Sequence, residues 1–333
     1  MSSAITKDPR PVSVVIPTWN GGPRYLKLLD VLADQDIAGG FQLVVVDSGS
    51  KDGTREASEA AGALIVHQDQ KTFNHGGARN KGIAASSGQV IVLLTQDAVP
   101  MGRDFVTNML KPYADASVDG VYARQFPQDD CDPILKERLR GWTACRTEPV
   151  QQFFVQADAD ASLAEFNNLP PMERYLRCAF DNVASSVRRS TWEAKPFPER
   201  NFGEDMAWAR RVLLDGGTVH FEPSAEVEHS HPISMKREFF RLYRDHKNLY
   251  ELFGLHNVPT WKRVREGWKW QIGYYKELIA GLDISEREKR YWRWYILPYA
   301  GLETTAQFLG ARSHWKAQES KFWAKFDVWA CAD

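Results

Sequence analysis

The sequence predicts an α/β fold, an α/β/α sandwich followed by a helical, aromatic-rich C-terminal extension, and three observations carry that reading. Short apolar runs at residues 12–16, 41–46 and 90–94 are nearly continuous, as parallel strands covered on both faces require. Amphipathic stretches separate them, so residues 12–96 read as strand, helix, strand, helix, strand. Beyond residue 231 strand signals fade, and residues 261–333 hold eight of the twelve tryptophans with more basic than acidic side chains.

Each later element follows from its own pattern. Residues 183–188 read as a short strand. A helix over 206–214 is stopped by Gly216-Gly217, and residues 218–222 return as a strand that completes the sheet. A domain boundary is placed at residue 231, with a helical region over 232–333.

With 333 residues, 43% of them hydrophobic, the chain can bury a full core and carry an appendage. A net charge of -1 provides no global field to hold nucleic acid, which is not expected as a partner. The four cysteines form no C-x-x-C pair, and the N-terminal residues lack an apolar leader. Reduced thiols and a cytoplasmic setting are therefore expected. No apolar run approaches the roughly 18 to 20 residues needed to span a bilayer.

In open α/β sheets the ligand crevice lies at the carboxyl ends of the strands, which directs attention to the polar residues after each run. Pro17, Thr18 and Asn20 follow the first. Asp47 follows the second and opens a small-residue loop, 47–54, in which Gly49 lets a ligand approach the backbone. The Asp47 carboxylate can accept a ring N–H from uracil or thymine, or it can cap the following helix; the two readings weigh equally. Asp97 follows the third run. It reads either as a ligand for a hard cation that offsets diphosphate charge or as a turn residue before Pro100. His229 and His231 lie two apart after the last strand, so in extended chain they share a side, as a ligand pair would, while either can instead satisfy backbone groups. Glu204 and Asp205 start the 206–214 helix region. There they complement the helix dipole or, for one of them, take a proton from an attacking hydroxyl. Residues 73–82 place Gly76, Gly77, Arg79 and Lys81 at a helix entrance, where backbone N–H groups and Arg79 suit phosphate or ribose oxygens.

Taken in order, residues 14–20, 45–54, 73–80, 94–98 and 202–205 followed by 228–231 resemble family 2 glycosyltransferases of the GT-A, Rossmann-like fold, and more narrowly their bacterial rhamnosyltransferase-like branch. The resemblance covers about residues 12–250. It implies an inverting enzyme that moves a sugar, with L-rhamnose from dTDP-L-rhamnose as first expectation, from a nucleotide diphosphate to a hydroxyl of a glycan or lipid-linked acceptor in bacterial surface polysaccharide synthesis. It makes Thr18 and Asp47 nucleotide contacts, with Pro17, Asn20, Gly49 and Arg79 beside them. Asp97 and His229 become ligands of a divalent metal, Mg2+ or Mn2+, and Asp205 becomes the catalytic base. Residues 181–192, including Asn182, Ser185 and Trp192, resemble the acceptor-facing strand and loop, with Glu204 and His231 in supporting places. Residues 12–100 then form the nucleotide-sugar half and 181–231 the acceptor and base region. The family's metal motif is commonly Asp-x-Asp, and its first position here is Thr95.

Clusters such as Trp261-Lys262-Arg263 and 291–295 mix rings with cations. That composition suits peripheral contact with the inner face of the plasma membrane, and equally a helical subdomain packing on the catalytic domain or on a second copy in a homodimer. Two rival functions are weighed. A sugar nucleotidyltransferase would open with a G-x-G-type loop where residues 17–20 stand. A catalytically silent carbohydrate-binding or scaffold protein would not need Asp205 together with Asp97 and His229.

Overall fold

The computed structural model describes residues 3–200, 202–230 and 234–331. Among these, ten strands form one sheet. They are β1 (Ile5–Thr6), β2 (Val12–Thr18), β3 (Phe41–Asp47), β4 (Leu64–His67), β5 (Val90–Leu94), β6 (Val99–Pro100), β7 (Val118–Phe126), β8 (Val150–Gln152), β9 (Ala184–Arg188) and β10 (Thr218–Glu228). The order is β1-β3-β2-β5-β9-β7-β10-β6, with β4 also on β3 and β8 also on β10.

The first half is parallel, because β1, β2 and β4 all run with β3, and β5 runs with β2. Strand β9 enters antiparallel between β5 and β7. That reversal brings the start of β9 to the carboxyl end of β5, with Ala184 opposite Leu94. Strand β7 is in turn parallel to β10. The ends of β2, β3, β5, β7 and β10 and the beginning of β9 therefore share one edge of the sheet.

Both faces of the parallel half are covered. On one, Tyr25, Leu28, Leu29 and Leu32 of the helix Gly22–Ala33 recur at helical spacing and bury against Val14, Ile16, Leu43 and Val45. Burial of each such side chain is worth roughly 1.5–3 kcal/mol. On the other, Gly82 of the helix His75–Ala85 lies so close to β2 and β3 that a Cβ there would stand 2.4 Å from Val15 and 2.8 Å from Val46.

Several elements differ from the sequence reading: β1, β6, β7 and β8 have no counterpart in it, and two further differences have a plain physical reason. Strand β4 is an added edge strand of only four residues, too short for a periodic signal. Strand β10 continues to Glu228 rather than ending at residue 222. Its pairing with β7 jumps from Glu222 to Glu226, so the intervening Pro223, which cannot donate a ladder hydrogen bond, sits in a bulge.

The chain divides into two compact units: residues 1–129, 138–170 and 176–230, and residues 130–137, 171–175 and 231–333. The second unit is helical, built on Met235–Phe253, Trp261–Gly281, Glu286–Gly310, Ser313–Glu319 and Lys321–Cys331. Ile134, Tyr275, Ile279, Ile296 and Tyr299 form one of its apolar clusters. No helix among the described residues is long and apolar enough to cross a membrane.

Candidate functional site

Three loops at the shared sheet edge are tied into one surface. Asp47, which is 3% exposed, turns its carboxylate onto its own loop. It accepts from Gly49 N at 2.9 Å, Ser50 N at 3.1 Å and the Thr18 hydroxyl at 3.3 Å. Gly49 carries a φ of 86°, a conformation that favours glycine. The loop after β2 is fastened to this one through Asn20 N to Ser50 Oγ, Lys51 N to Asn20 Oδ1, Gly21 N to Thr54 Oγ1 and Gly22 N to Asp52 Oδ2. The residue capping the helix Thr54–Ala60 is Gly53, one beyond Asp52, while Asp52 accepts from Thr54 through both N and Oγ1.

Gln96 joins the third loop. Its side-chain amide takes both backbone groups of Trp19, accepting from the N–H at 2.8 Å and donating to the carbonyl at 3.3 Å. Strand β6 then pairs antiparallel with the end of β10, Val99 opposite Glu228. This short pairing brings Asp97 to His229. Their Oδ1 and Nε2 stand 3.7 Å apart, with side chains only 15% and 13% exposed. A carboxylate oxygen and an imidazole nitrogen so placed can share one divalent cation. No group of three or more His, Cys, Asp or Glu poised for a metal occurs among the described residues, and His231 lies outside them.

Asp205 stands in the first turn of the helix Glu204–Leu214, which Gly203 enters with a left-handed φ of 70°. The residue is half-buried. One oxygen accepts from Met206 N at 2.7 Å, the other from Asn182 N at 3.2 Å. Burial, with the like charges of Glu204 and Asp181 adding to it, pushes the Asp205 carboxyl well above the usual carboxylate range. Such a group holds a proton more readily than an ordinary aspartate, which is the property a general base needs.

The neighbours of Asp205 point inward. Asn182 and Ser185 are 1% and 0% exposed, and Glu204 pairs with Arg79 at 2.8 Å, both nearly inaccessible. The Trp192 indole donates to Asn80 Oδ1 at 2.8 Å. The Arg79 guanidinium, expected at phosphate or ribose oxygens, is directed at Glu204, the His75 carbonyl and the Asn182 carbonyl. Pro17 pairs in register with Val46 at the edge where the nucleotide loops begin.

Comparison with known proteins places the chain in a family. Residues 13–160 match the model of Glycosyl transferase family 2. The chain carries a family 2 glycosyltransferase domain. The O-antigen chain rhamnosyltransferase RfbN of Salmonella typhimurium is 29% identical over 92% of this chain and 90% of its own length. The O-antigen chain rhamnosyltransferase WbaN of Salmonella anatum is 27% identical over the same shares. Among solved structures, the mannosyltransferase PcManGT from Pyrobaculum calidifontis, in complex with GDP-Man and Mn2+, superposes with a TM-score of 0.52 at 17% identity, over 99% of this chain and 86% of that one. Glucosyl-3-phosphoglycerate synthase from Mycobacterium tuberculosis, in complex with Mn2+, UDP-glucose and glycerol 3-phosphate, gives 0.51 at 19% identity over 74% and 81%. The fold of this glycosyltransferase is GT-A.

Three residues at the site lie in segments the sequence marks, 94–98, 181–192 and 73–80, but are not singled out within them. Gln96 reads only as the middle of a turn. Asp181 accepts from Gln125 Nε2 and Trp142 Nε1 beside Asp205. Asn80 binds the 192–197 segment. Each is recognisable only by partners far away in sequence.

Proposed function

We propose that this glycosyltransferase is an inverting enzyme that transfers L-rhamnose from dTDP-L-rhamnose to a hydroxyl of a glycan or lipid-linked acceptor in bacterial surface polysaccharide synthesis. The observation that carries the reading is the convergence of Asp47, the Asp97–His229 pair and Asp205 on one sheet edge. The donor assignment is supported by the two relatives, which carry the name rhamnosyltransferase and align over most of this chain.

In this scheme the nucleotide lies on the tied loops of Pro17, Thr18, Asn20, Asp47 and Gly49. Their mutual hydrogen bonds hold them ready for it, so little ordering cost falls on binding. The chemistry of Asp97 and His229 fits a divalent metal, Mn2+ or Mg2+, with phosphate oxygens and water completing the shell; a cation held there offsets the charge of the departing diphosphate. Asp205 takes the proton of the acceptor hydroxyl as its oxygen bonds to the anomeric carbon and the sugar–phosphate bond breaks. A single base opposite the leaving group inverts the anomeric centre. Asn182, Ser185, Trp192 and Glu204 support that base from within the protein.

The acceptor side of the reading includes a peripheral membrane contact. In the helical unit Trp270 and Trp294 are 66% and 71% exposed, so neither serves as core, and lysines and arginines flank both. Tryptophan beside cations suits the headgroup region of an anionic bilayer.

A panel of sugar nucleotides tests the proposal. dTDP-L-rhamnose with Mn2+ should raise the melting temperature and support transfer, with product NMR showing an inverted anomeric centre. Turnover of a different donor alone, or retention of configuration, overturns the donor or the mechanism respectively.

A further inference from the structure

The segment His75–Asn80 packs against the stretch that carries the base. A Cβ on Gly76 would stand 2.0 Å from the carbonyl oxygen of Pro198 and 3.4 Å from Cβ of Glu204, so the helix start lies directly against that stretch and only glycine fits. Asn80 grips the chain a few residues upstream of the base. It donates to the Phe197 carbonyl at 2.8 Å and accepts from Phe197 N at 3.0 Å and the Trp192 indole at 2.8 Å. Arg79 grips the base's own neighbours. Nη1 meets Glu204 Oε1 at 2.8 Å and Nη2 meets the Asn182 carbonyl at 3.1 Å.

Asn182 is the hub of these contacts. All four of its hydrogen-bonding groups are engaged: N to Asp205, O from Arg79, Nδ2 to Glu204 Oε1 at 3.2 Å and Oδ1 from the Ser185 hydroxyl at 2.7 Å. An asparagine so saturated and buried has one available orientation. The N–H it offers to the Asp205 carboxylate is thereby fixed in place.

We propose that Arg79, Asn182 and Glu204 form a positioning node for the catalytic base, with Arg79 acting on Asp205 through Asn182 and Glu204 rather than on the donor phosphates. The inference rests on the assignment of Asp205 as the base. Arg79 supplies the buried cation that pairs with the Glu204 carboxylate. Glu204 in turn places a negative charge beside Asp205, and Asn182 holds one of its oxygens toward the acceptor side.

The test separates positioning from phosphate binding. Arg79→Lys keeps the charge and loses the two-pronged contact. It should lower kcat about ten- to a hundredfold, the cost of a misplaced catalytic group, with the donor KM within about twofold of the parent. A raised donor KM at unchanged kcat would restore the phosphate role and overturn the proposal. Glu204→Gln keeps both hydrogen bonds at Oε1 and provides a second variant if Arg79→Lys does not fold. Removing its charge should move the acidic limb of the kcat–pH profile to lower pH, because one of the like charges that raise the Asp205 pKa is gone. An unmoved limb counts against the node. Asp205→Asn, run alongside, distinguishes the two levels: an active Asp205→Asn protein removes the base assignment itself. An inactive one beside unaltered Arg79→Lys and Glu204→Gln proteins removes the positioning node alone.

Discussion

Asp205 shows how one residue can be costly to the fold and useful to the reaction. Its folded pKa is raised, so the native state binds the proton more tightly than the unfolded chain does. Stability from this group is therefore present at low pH and falls as pH rises from the ordinary aspartate range through the raised folded value. Activity runs the other way, since a base must be deprotonated. Asp205→Asn should lower kcat roughly 10²- to 10⁴-fold with nucleotide affinity retained, and its melting temperature at neutral pH should exceed that of the parent. A lower melting temperature would mean that the ionised carboxylate contributes more through its two backbone hydrogen bonds than it loses to burial. Asp97 and His229 make a separable prediction. Replacing either with Ala should abolish the Mn2+-dependent part of donor binding, measured by calorimetry with and without chelator, and leave the metal-independent part in place.

At the scale of elements, the catalytic geometry depends on how closely helices approach the sheet. The helix His75–Ala85 uses Gly82 to lie on β2 and β3, and Gly76 to meet the base-bearing stretch. Gly82→Ala forces a methyl group against Val15 and Val46, and should cost about 1–3 kcal/mol by denaturant titration. The short pairing of β6 with β10 matters equally, because it brings residue 97 to residue 229. The clamp of Gln96 on Trp19 couples the loop after β5 to the loop after β2, so the nucleotide and metal sides of the site share one piece of backbone order.

For the whole molecule, net charge near zero hides an uneven distribution. The helix Trp261–Gly281 and the helix Glu286–Gly310 carry exposed aromatics among basic residues, whereas the catalytic unit gathers carboxylates at the sheet edge. The proposed membrane contact predicts co-sedimentation with anionic vesicles, weakened by salt and by replacing Trp270 and Trp294 with Ser. Failure to pellet, together with a doubled mass in solution, would assign the same aromatics to contact between two copies.

Strands β2, β3 and β5 of the parallel half, the edge where ligands gather and the order of the site segments were legible in the amino-acid sequence. The reason is that they depend on local patterning: continuous apolar runs make buried strands, and polar residues after them mark strand ends. Asp47, Asp97 and His229 stand out as candidates on that basis and Asp205 by its place at a helix start, while the family resemblance is what gave the four their expected roles. The direction in which side chains point was not legible. Arg79 sits among glycines at a helix entrance, a pattern equally compatible with a bound phosphate, and only the packing of that helix against Pro198 and Glu204 turns it toward Glu204. The continuation of β10 past Pro223 was hidden for the same kind of reason, since a bulge is tolerated only where a neighbouring strand supplies the pairing on either side. What sequence determined here is which residues stand at strand ends. Tertiary structure decided which of them meet, because the antiparallel entry of β9 brings Ala184 to Leu94 and the return of β6 onto β10 brings Asp97 to His229, residues far apart in the chain.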